Sequence, residues 1–211
     1  ITELGMSKLT AKEIGSRFQA MGPAIGFTQG KMADMSVELT RLAGDMSSFY
    51  NVEQKDVAKS LQSIFTGETE PMRKYGVDLT NATLKEWALK KGMDANISSM
   101  SQMQKTALRY QYVLEATGAA QGDFLRTQDT WANQVRILKE NFRELASVIG
   151  SSFIHALKPL VKALNSAMSA IISFAKVVSN ALGKIFGWQY EDATGGIVND
   201  YEDAADAAGD L

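Results

Sequence analysis

Residues 131–149 read WANQVRILKENFRELASVI, and residues 157–185 read LKPLVKALNSAMSAIISFAKVVSNALGKI. In both stretches apolar residues recur at alternating intervals of four and three, the heptad spacing of a helix that packs against other helices. The heptad register of the first stretch does not continue into the second, and Pro159 lies near this change of register. Because proline removes a backbone hydrogen bond, we predict a long helical segment over residues 127–187 with a break near Pro159.

The heptad positions of both stretches predict a surface for helix association, which we call the association stripe. Leu, Val, Met and Ala are mixed along it, so the spacing predicts a small oligomer of this chain without fixing the number of copies. The stripe consists of Trp131, Val135, Leu138, Phe142, Leu145, Ile149, Leu157, Val161, Leu164, Met168, Ile171, Ala175, Val178, Leu182 and Ile185.

Upstream of this segment, short runs with helical spacing alternate with capping residues, which predicts a compact multi-helix domain over residues 1–121. The predicted N-caps are Thr10, Thr28, Asn51, Thr80 and Ser99, each of which precedes such a run. The predicted buried faces comprise Met32, Met35, Leu39, Leu42, Met46 and Phe49, then Val57, Leu61, Ile64 and Phe65, and finally Met100, Met103, Ala107, Tyr110 and Leu114.

Strand patterns are nearly absent, so the predicted fold class is all-α: a compact helical region followed by a long, kinked, amphipathic helix of coiled-coil type. Residues 188–211 are acidic and rich in Ala and Gly, without a wide apolar face, and we interpret them as a linker. Because the sequence begins at Ile1 and ends within this stretch, we expect it to be an excerpt of a longer chain.

Composition narrows the classes of function. The 22 basic and 24 acidic side chains nearly balance, and a net charge of −2 favours no specific nucleic-acid partner. With no Cys, the sequence has neither a disulfide framework nor a thiolate metal site. Its longest charge-free apolar run in the second half, residues 163–175, is shorter than the roughly 20 residues that span a bilayer, so we expect no simple transmembrane helix.

Catalytic patterns are missing from the sequence, and we predict no enzyme activity, no cofactor and no metal. His155 is the single histidine and has no metal-spaced neighbours. Glu68 and Glu70 form a possible carboxylate pair, but acidic residues are also expected at a helix start. A locally basic group is more consistent with a solvated helix surface than with a DNA contact; it contains Arg73, Lys74, Lys85, Lys90 and Lys91.

Three strings carry a resemblance to a known family. They are MADMSVELTRLAGDMSSFYNV from Met32, SLQSIFTGETEPMRKYGVDLTNATL from Ser60, and LRYQYVLEATGAAQGDFLRTQDTWANQVRILKENFRELASVIG from Leu108. Over about Met32 to Trp188 the chain resembles the tail tape measure proteins of bacteriophages. The most specific patterns are GETEPxRxxGxDLxxATL and AAQGDFxRTxDxWANQ.

The resemblance implies a structural protein inside the tail tube of a phage or prophage, which sets tail length during assembly and leaves ahead of the DNA on infection. It implies as partners other copies of the chain, tail tube and tail tip proteins, and tail assembly chaperones. The protein would lie in the host cytoplasm during assembly, then in the virion, and at the host envelope on infection.

Two alternatives stay open at the level of the sequence. The amphipathic stretch 153–186 also fits a membrane-active, pore-forming helix that aids passage through the host membrane, with Lys158, Lys162, Lys176 and Lys184 along a lumen or interface. The other alternative is a non-catalytic part of a tail protein that degrades the cell wall, because some tape measure proteins carry such domains elsewhere.

Overall fold

The structure, a computed structural model, describes the backbone of residues 4–93, 96–149 and 151–186 and, within these ranges, the side chains of residues 4–148 and 158–179. Every regular element in these ranges is a helix, which confirms the all-α prediction. The α-helices are α1 Lys8–Ile25, α2 Gln29–Tyr50, α3 Gln54–Leu61, α4 Ser63–Thr66, α5 Glu70–Arg73, α6 Asn81–Lys90, α7 Gln102–Ala116, α8 Asp123–Thr127, α9 Trp131–Ile149 and α10 Ser151–Phe186, with a 3-10 turn at Ile97–Ser99.

The chain divides into two units, Ile1–Leu145 and Ala146–Leu211. The first unit extends past the boundary that we expected at residue 121, because α8 and most of α9 belong to it. Pro159 lies inside α10 and does not end the helix there; α9 is described to Ile149 and α10 from Ser151. A proline within a helix costs one backbone bond without having to end the helix. The predicted linker at 188–211 lies outside the described residues.

The main core of the first unit forms around α2. Five of the six predicted apolar positions of this helix, Met32 to Met46, are buried, and so are the four predicted for the α3–α4 region. Phe49 was predicted wrongly: it lies in the last turn of α2, 46% exposed, with its ring edge against Tyr50. The spacing rule therefore held along the helix and failed only at its end.

Helix α7 divides its buried residues between two clusters. Val113 belongs to the main core, whereas Leu108 packs with Leu84, Ala88 and Ile97 in a smaller one. The face that we predicted for α7 is consequently displaced: Met103 is 40% exposed, and the other members are only partly buried. A single apolar stripe cannot account for the burial of a helix that packs against other helices on two sides.

The predicted caps divide into two right and three wrong assignments. Thr28 and Thr80 are N-caps, and each hydroxyl accepts the backbone N–H three residues on. In contrast, α1 is capped by Ser7 and α7 by Ser101. Asn51 ends α2 in the left-handed conformation, with φ of 51°, and does not begin α3. Several hydroxyl and amide residues precede each helix, and only the backbone conformation decides which of them caps it.

The segment before α1 passes close to α2 and α8. At Gly44 of α2 an added Cβ would lie 2.4 Å from the Leu4 carbonyl oxygen. Gly5 has φ of +61°, and an added Cβ would lie 2.4 Å from the ring of Phe124. The Gln54 side-chain amide donates to the Gly5 carbonyl at 2.5 Å. These contacts hold the segment before α1 against α2, α3 and α8.

The two sides of α2 provide a test of the core. We expect Leu39→Ala to lower the free energy of unfolding by about 2–5 kcal/mol, because it leaves a cavity at a fully buried site. The matched control Val37→Ala, on the 62% exposed side of the same helix, should change it by less than about 0.5 kcal/mol. Chemical denaturation of both variants measures the difference, and equal effects would contradict this assignment of the core.

Candidate functional site

Helix α9 has two opposite faces, one of which binds helices α1 to α8. We call these eight helices the head. The face that binds the head, which we call the polar face, consists of Asn133, Arg136 and Glu140. Because an α-helix turns about 100° per residue, Glu140 lies roughly 180° from the centre of the association stripe on this helix. Asn133 and Glu140 are 3% and 2% exposed, whereas Leu138 of the stripe is 66% exposed. Helix α9 therefore attaches to the head through its polar side.

Glu140 binds the beginning of α1. Its Oε2 atom accepts the backbone N–H of Ser7 at 3.0 Å and the hydroxyl of Thr10 at 2.6 Å. Its Oε1 atom accepts from the Arg143 guanidinium at 2.7 Å. The first N–H groups of a helix have no partner within the helix and carry partial positive charge, so a carboxylate is favoured there. A residue 130 positions away thus supplies an acceptor that α1 lacks.

The pKa of Glu140 reflects these bonds. Burial alone would raise it, but hydrogen bonds from Thr10 and Ser7, with the charge of Arg143, lower the pKa below the ordinary 4.5. The carboxylate is therefore held in its charged form.

Asn133 joins α9 to the end of α2 and to α8. Its side-chain amide donates to the Ser48 hydroxyl at 2.8 Å and to the Thr127 carbonyl at 3.0 Å. The Ser48 hydroxyl in turn donates to Asp123 Oδ2 at 2.6 Å. This chain of bonds fixes the first turn of α9 against the head.

Arg136 lies at the C-terminal end of α2. Its Nη2 donates to the Ser47 carbonyl at 3.0 Å, and its Nη1 donates to the Asn133 side-chain oxygen. A cation is favoured here because the last carbonyls of a helix carry partial negative charge. Burial lowers the pKa of Arg136, and nearby Glu53 acts against this shift. At the edge of the contact, Lys139 pairs with Glu53 at 2.7 Å.

A second carboxylate organises α8 from a distance. Asp45 of α2 accepts the backbone N–H of Gly122 at 2.8 Å and that of Phe124 at 3.3 Å. Burial raises the pKa of Asp45, and the two backbone bonds offset part of this shift. Phe124 is 1% exposed and anchors α8 in the head. The short turn before α9 is thereby held in place.

The association stripe lies largely in solvent wherever its side chains are described. Trp131 is 67%, Phe142 37% and Leu145 45% exposed, and Val135 is partly buried. On α10, Leu164, Ile171 and Val178 are exposed. Of the remaining members, Ala175 is exposed, Val161 and Met168 are partly buried, and Ile149, Leu157, Leu182 and Ile185 lie outside the described side chains. The predicted stripe is thus available for contact with another molecule.

Helix α10 is more apolar than its stripe alone indicates. Leu160, Phe174 and Val177, which are outside the stripe, are also more than half exposed. The described residues contain one segment, Lys158–Ser179, that is long enough and apolar enough to cross a membrane, by length and composition. Its mean hydropathy is 1.3. Our expectation of no simple transmembrane helix stays a prediction, because this criterion counts only length and composition.

Several of the other candidate residues have ordinary surface partners. Glu70 is 77% exposed and pairs with Arg73. Within the predicted basic group, Lys90 pairs with Glu86 and Lys91 with Glu115. The side chain of His155 lies outside the described residues. In the part of the chain that the structure describes, no three His, Asp or Glu side chains lie close enough to hold a metal ion.

The polar face of α9 was missed at the level of the sequence. Asn133, Arg136 and Glu140 are spaced by three and four, which is the same helical spacing as in the stripe. That signal could have identified a second face, but polar residues opposite an apolar stripe normally face solvent. Only their partners, which come from α1 and α2, distinguish a binding face from a solvated one.

Comparisons of the chain with protein-family models, with curated proteins and with solved structures find no match. The functional argument therefore depends on the residues and contacts described above.

The charge of Glu140 predicts a pH dependence. Because its folded-state pKa is lowered, its contribution to stability is complete above about pH 4.5 and is lost as pH falls through the lower folded value. We expect E140Q to lower the free energy of unfolding by about 1.5–3 kcal/mol at pH 6, the value of a hydrogen bond to a charged group.

Urea denaturation of both proteins at pH 6, 4 and 3 measures this contribution. The difference between them should shrink as pH falls. The raised pKa of Asp45 has the opposite pH dependence but is common to both proteins, so it cancels. A difference that stays constant with pH would contradict the role of the carboxylate charge.

Proposed function

We propose that this chain is part of a phage tail tape measure protein: a structural component that lies inside the tail tube with other copies of itself, sets tail length and leaves ahead of the DNA. Its partners in this proposal are the tail tube and tail tip proteins and the tail assembly chaperones. The observation that carries the proposal is the apolar stripe of α9, which is exposed on the side opposite the head.

The lengths of the last two helices support a rod. Helix α9 has 19 residues and α10 has 36. At about 1.5 Å per residue they are roughly 29 and 54 Å long. A helix of this length adds a fixed distance per residue, so its chain length can measure the tube subunits stacked around it.

The exposed stripe supports association between copies. Isolated apolar side chains at a protein surface are common, but a heptad series such as Leu138, Phe142 and Leu145 is arranged for packing against another helix. Because the polar face of α9 is already bound to the head, the stripe is the side of α9 that other copies would contact. The resemblance of the WANQ string and its flanks to the tape measure family supports the same function.

The length of α10 provides the test of the ruler. Deleting Leu164–Val177 removes two complete heptads, so the stripe keeps its phase while each rod loses about 21 Å. In the phage or prophage that encodes the chain, we expect tails shorter by this distance in electron micrographs. Duplicating the same 14 residues is the matched control and should lengthen tails equally. Normal tail length in both variants would exclude the ruler function for α10.

A second candidate, a membrane-active helix, is favoured by Lys158–Ser179. This segment has the length and composition of a membrane span, and none of it is buried inside the protein. In this alternative the apolar residues of α10 contact lipid instead of other copies, and the host membrane is the partner.

One pair of variants distinguishes the two candidates. Leu164→Glu with Ile171→Glu places charges on the stripe, and the control Ser166→Glu with Ser169→Glu places them on the other side of α10. If copies associate, the unaltered chain and the control sediment as oligomers, the stripe variant sediments as a monomer, and dye-loaded vesicles stay intact. Leakage from vesicles by a chain that remains monomeric in solution would favour the membrane function.

A further inference from the structure

The attachment of α9 to the head differs from the packing inside the head. Among the described side chains of α9, Asn133 and Glu140 are the buried ones, and both are polar. None of its described apolar side chains belongs to either hydrophobic cluster or packs against one. Helix α9 is therefore held by hydrogen bonds and ion pairs without a share in the apolar core.

The head groups that bind α9 also have partners within the head. The Ser7 hydroxyl accepts the backbone N–H of Thr10 at 3.1 Å, so α1 keeps an N-cap without Glu140. The Ser48 hydroxyl donates to Asp123 at 2.6 Å, so it keeps a partner without Asn133. Helix α8 is fixed by Asp45, which does not belong to α9. Removal of α9 therefore leaves these caps of the head in place.

Water can replace the bonds of the polar face but not the packing of the core. A hydrogen bond exchanged for bonds to water contributes little net free energy, whereas each buried apolar side chain must be transferred to water when its helix opens. Helices with few buried apolar contacts open at lower free energy than core helices. Helix α2, in which Leu39 and Met46 are fully buried, is such a core helix.

We propose that α9 is a detachable helix, which swings away from the head about residues 128–130 while α1 to α8 stay folded. Asn133, Arg136 and Glu140 act together as a latch. The association stripe lies on the other side of α9, so it stays exposed whether α9 is attached or detached. Detachment changes only the direction in which the stripe faces. This inference does not depend on the tail function.

Hydrogen exchange of the full, unaltered chain tests the inference directly. Once detached, α9 is an isolated helix and frays in water, so its backbone amides become accessible. We expect the amides of residues 135–145 to exchange at least 100-fold faster than those of the middle of α2, through openings with a weak dependence on low concentrations of urea. Exchange of both helices at rates within threefold of each other, with the same dependence on urea, would overturn the inference, because α9 would then open only with the whole head.

Variants of the latch provide an independent test. E140Q removes the charge that accepts the bonds from Ser7, Thr10 and Arg143, and we expect it to speed exchange in α9 about tenfold or more. Leu39→Ala, which weakens the core of the head in the attached and the detached state alike, should speed exchange in α2 while α9 changes less than threefold. Asn133→Ala with Arg136→Met, which removes the other half of the latch, should affect the same amides. Asn141→Gln, on an exposed position of α9, is the matched control. No acceleration of α9 in E140Q, or equal acceleration of α9 and α2 in Leu39→Ala, would overturn the inference.

Discussion

The carboxylate of Glu140 at the beginning of α1 is the interaction on which the arrangement of this protein depends. The N–H groups at a helix start require an acceptor when they are buried. Here the acceptor comes from α9, and the bonds to Ser7 and Thr10 fix which side of α9 faces the head. Asp45 acts in the same way on α8. Two helix starts are thus completed by carboxylates from distant parts of the chain.

One consequence concerns the apolar stripe. If the stripe of α9 were buried in the head, no surface with heptad spacing would remain on this helix. Because the polar face occupies that position, Leu138 and Trp131 stay about two-thirds exposed. The proposed contact with other copies, or with a membrane, requires a helix of this kind, attached by its polar side and apolar on its outer side.

Prediction from the sequence succeeded where the signal is local. The spacing of apolar residues located the buried face of α2, and the capping residues Thr28 and Thr80 were identified because cap and helix are neighbours in sequence. It failed for Phe49 and for the face of α7, where burial depends on which helices lie nearby. It also failed for Glu140, whose partners are at the opposite end of the head.

The sequence by itself determined that this protein is all-α, that α9 carries a heptad stripe, and that the last two helices are long, because these properties follow from the periodicity and composition of continuous segments. Only the tertiary structure decided that the stripe points outward. Periodicity shows that a helix has an apolar and a polar side, but the side that meets the head is set by the pairing of buried donors and acceptors, such as Glu140 with the start of α1.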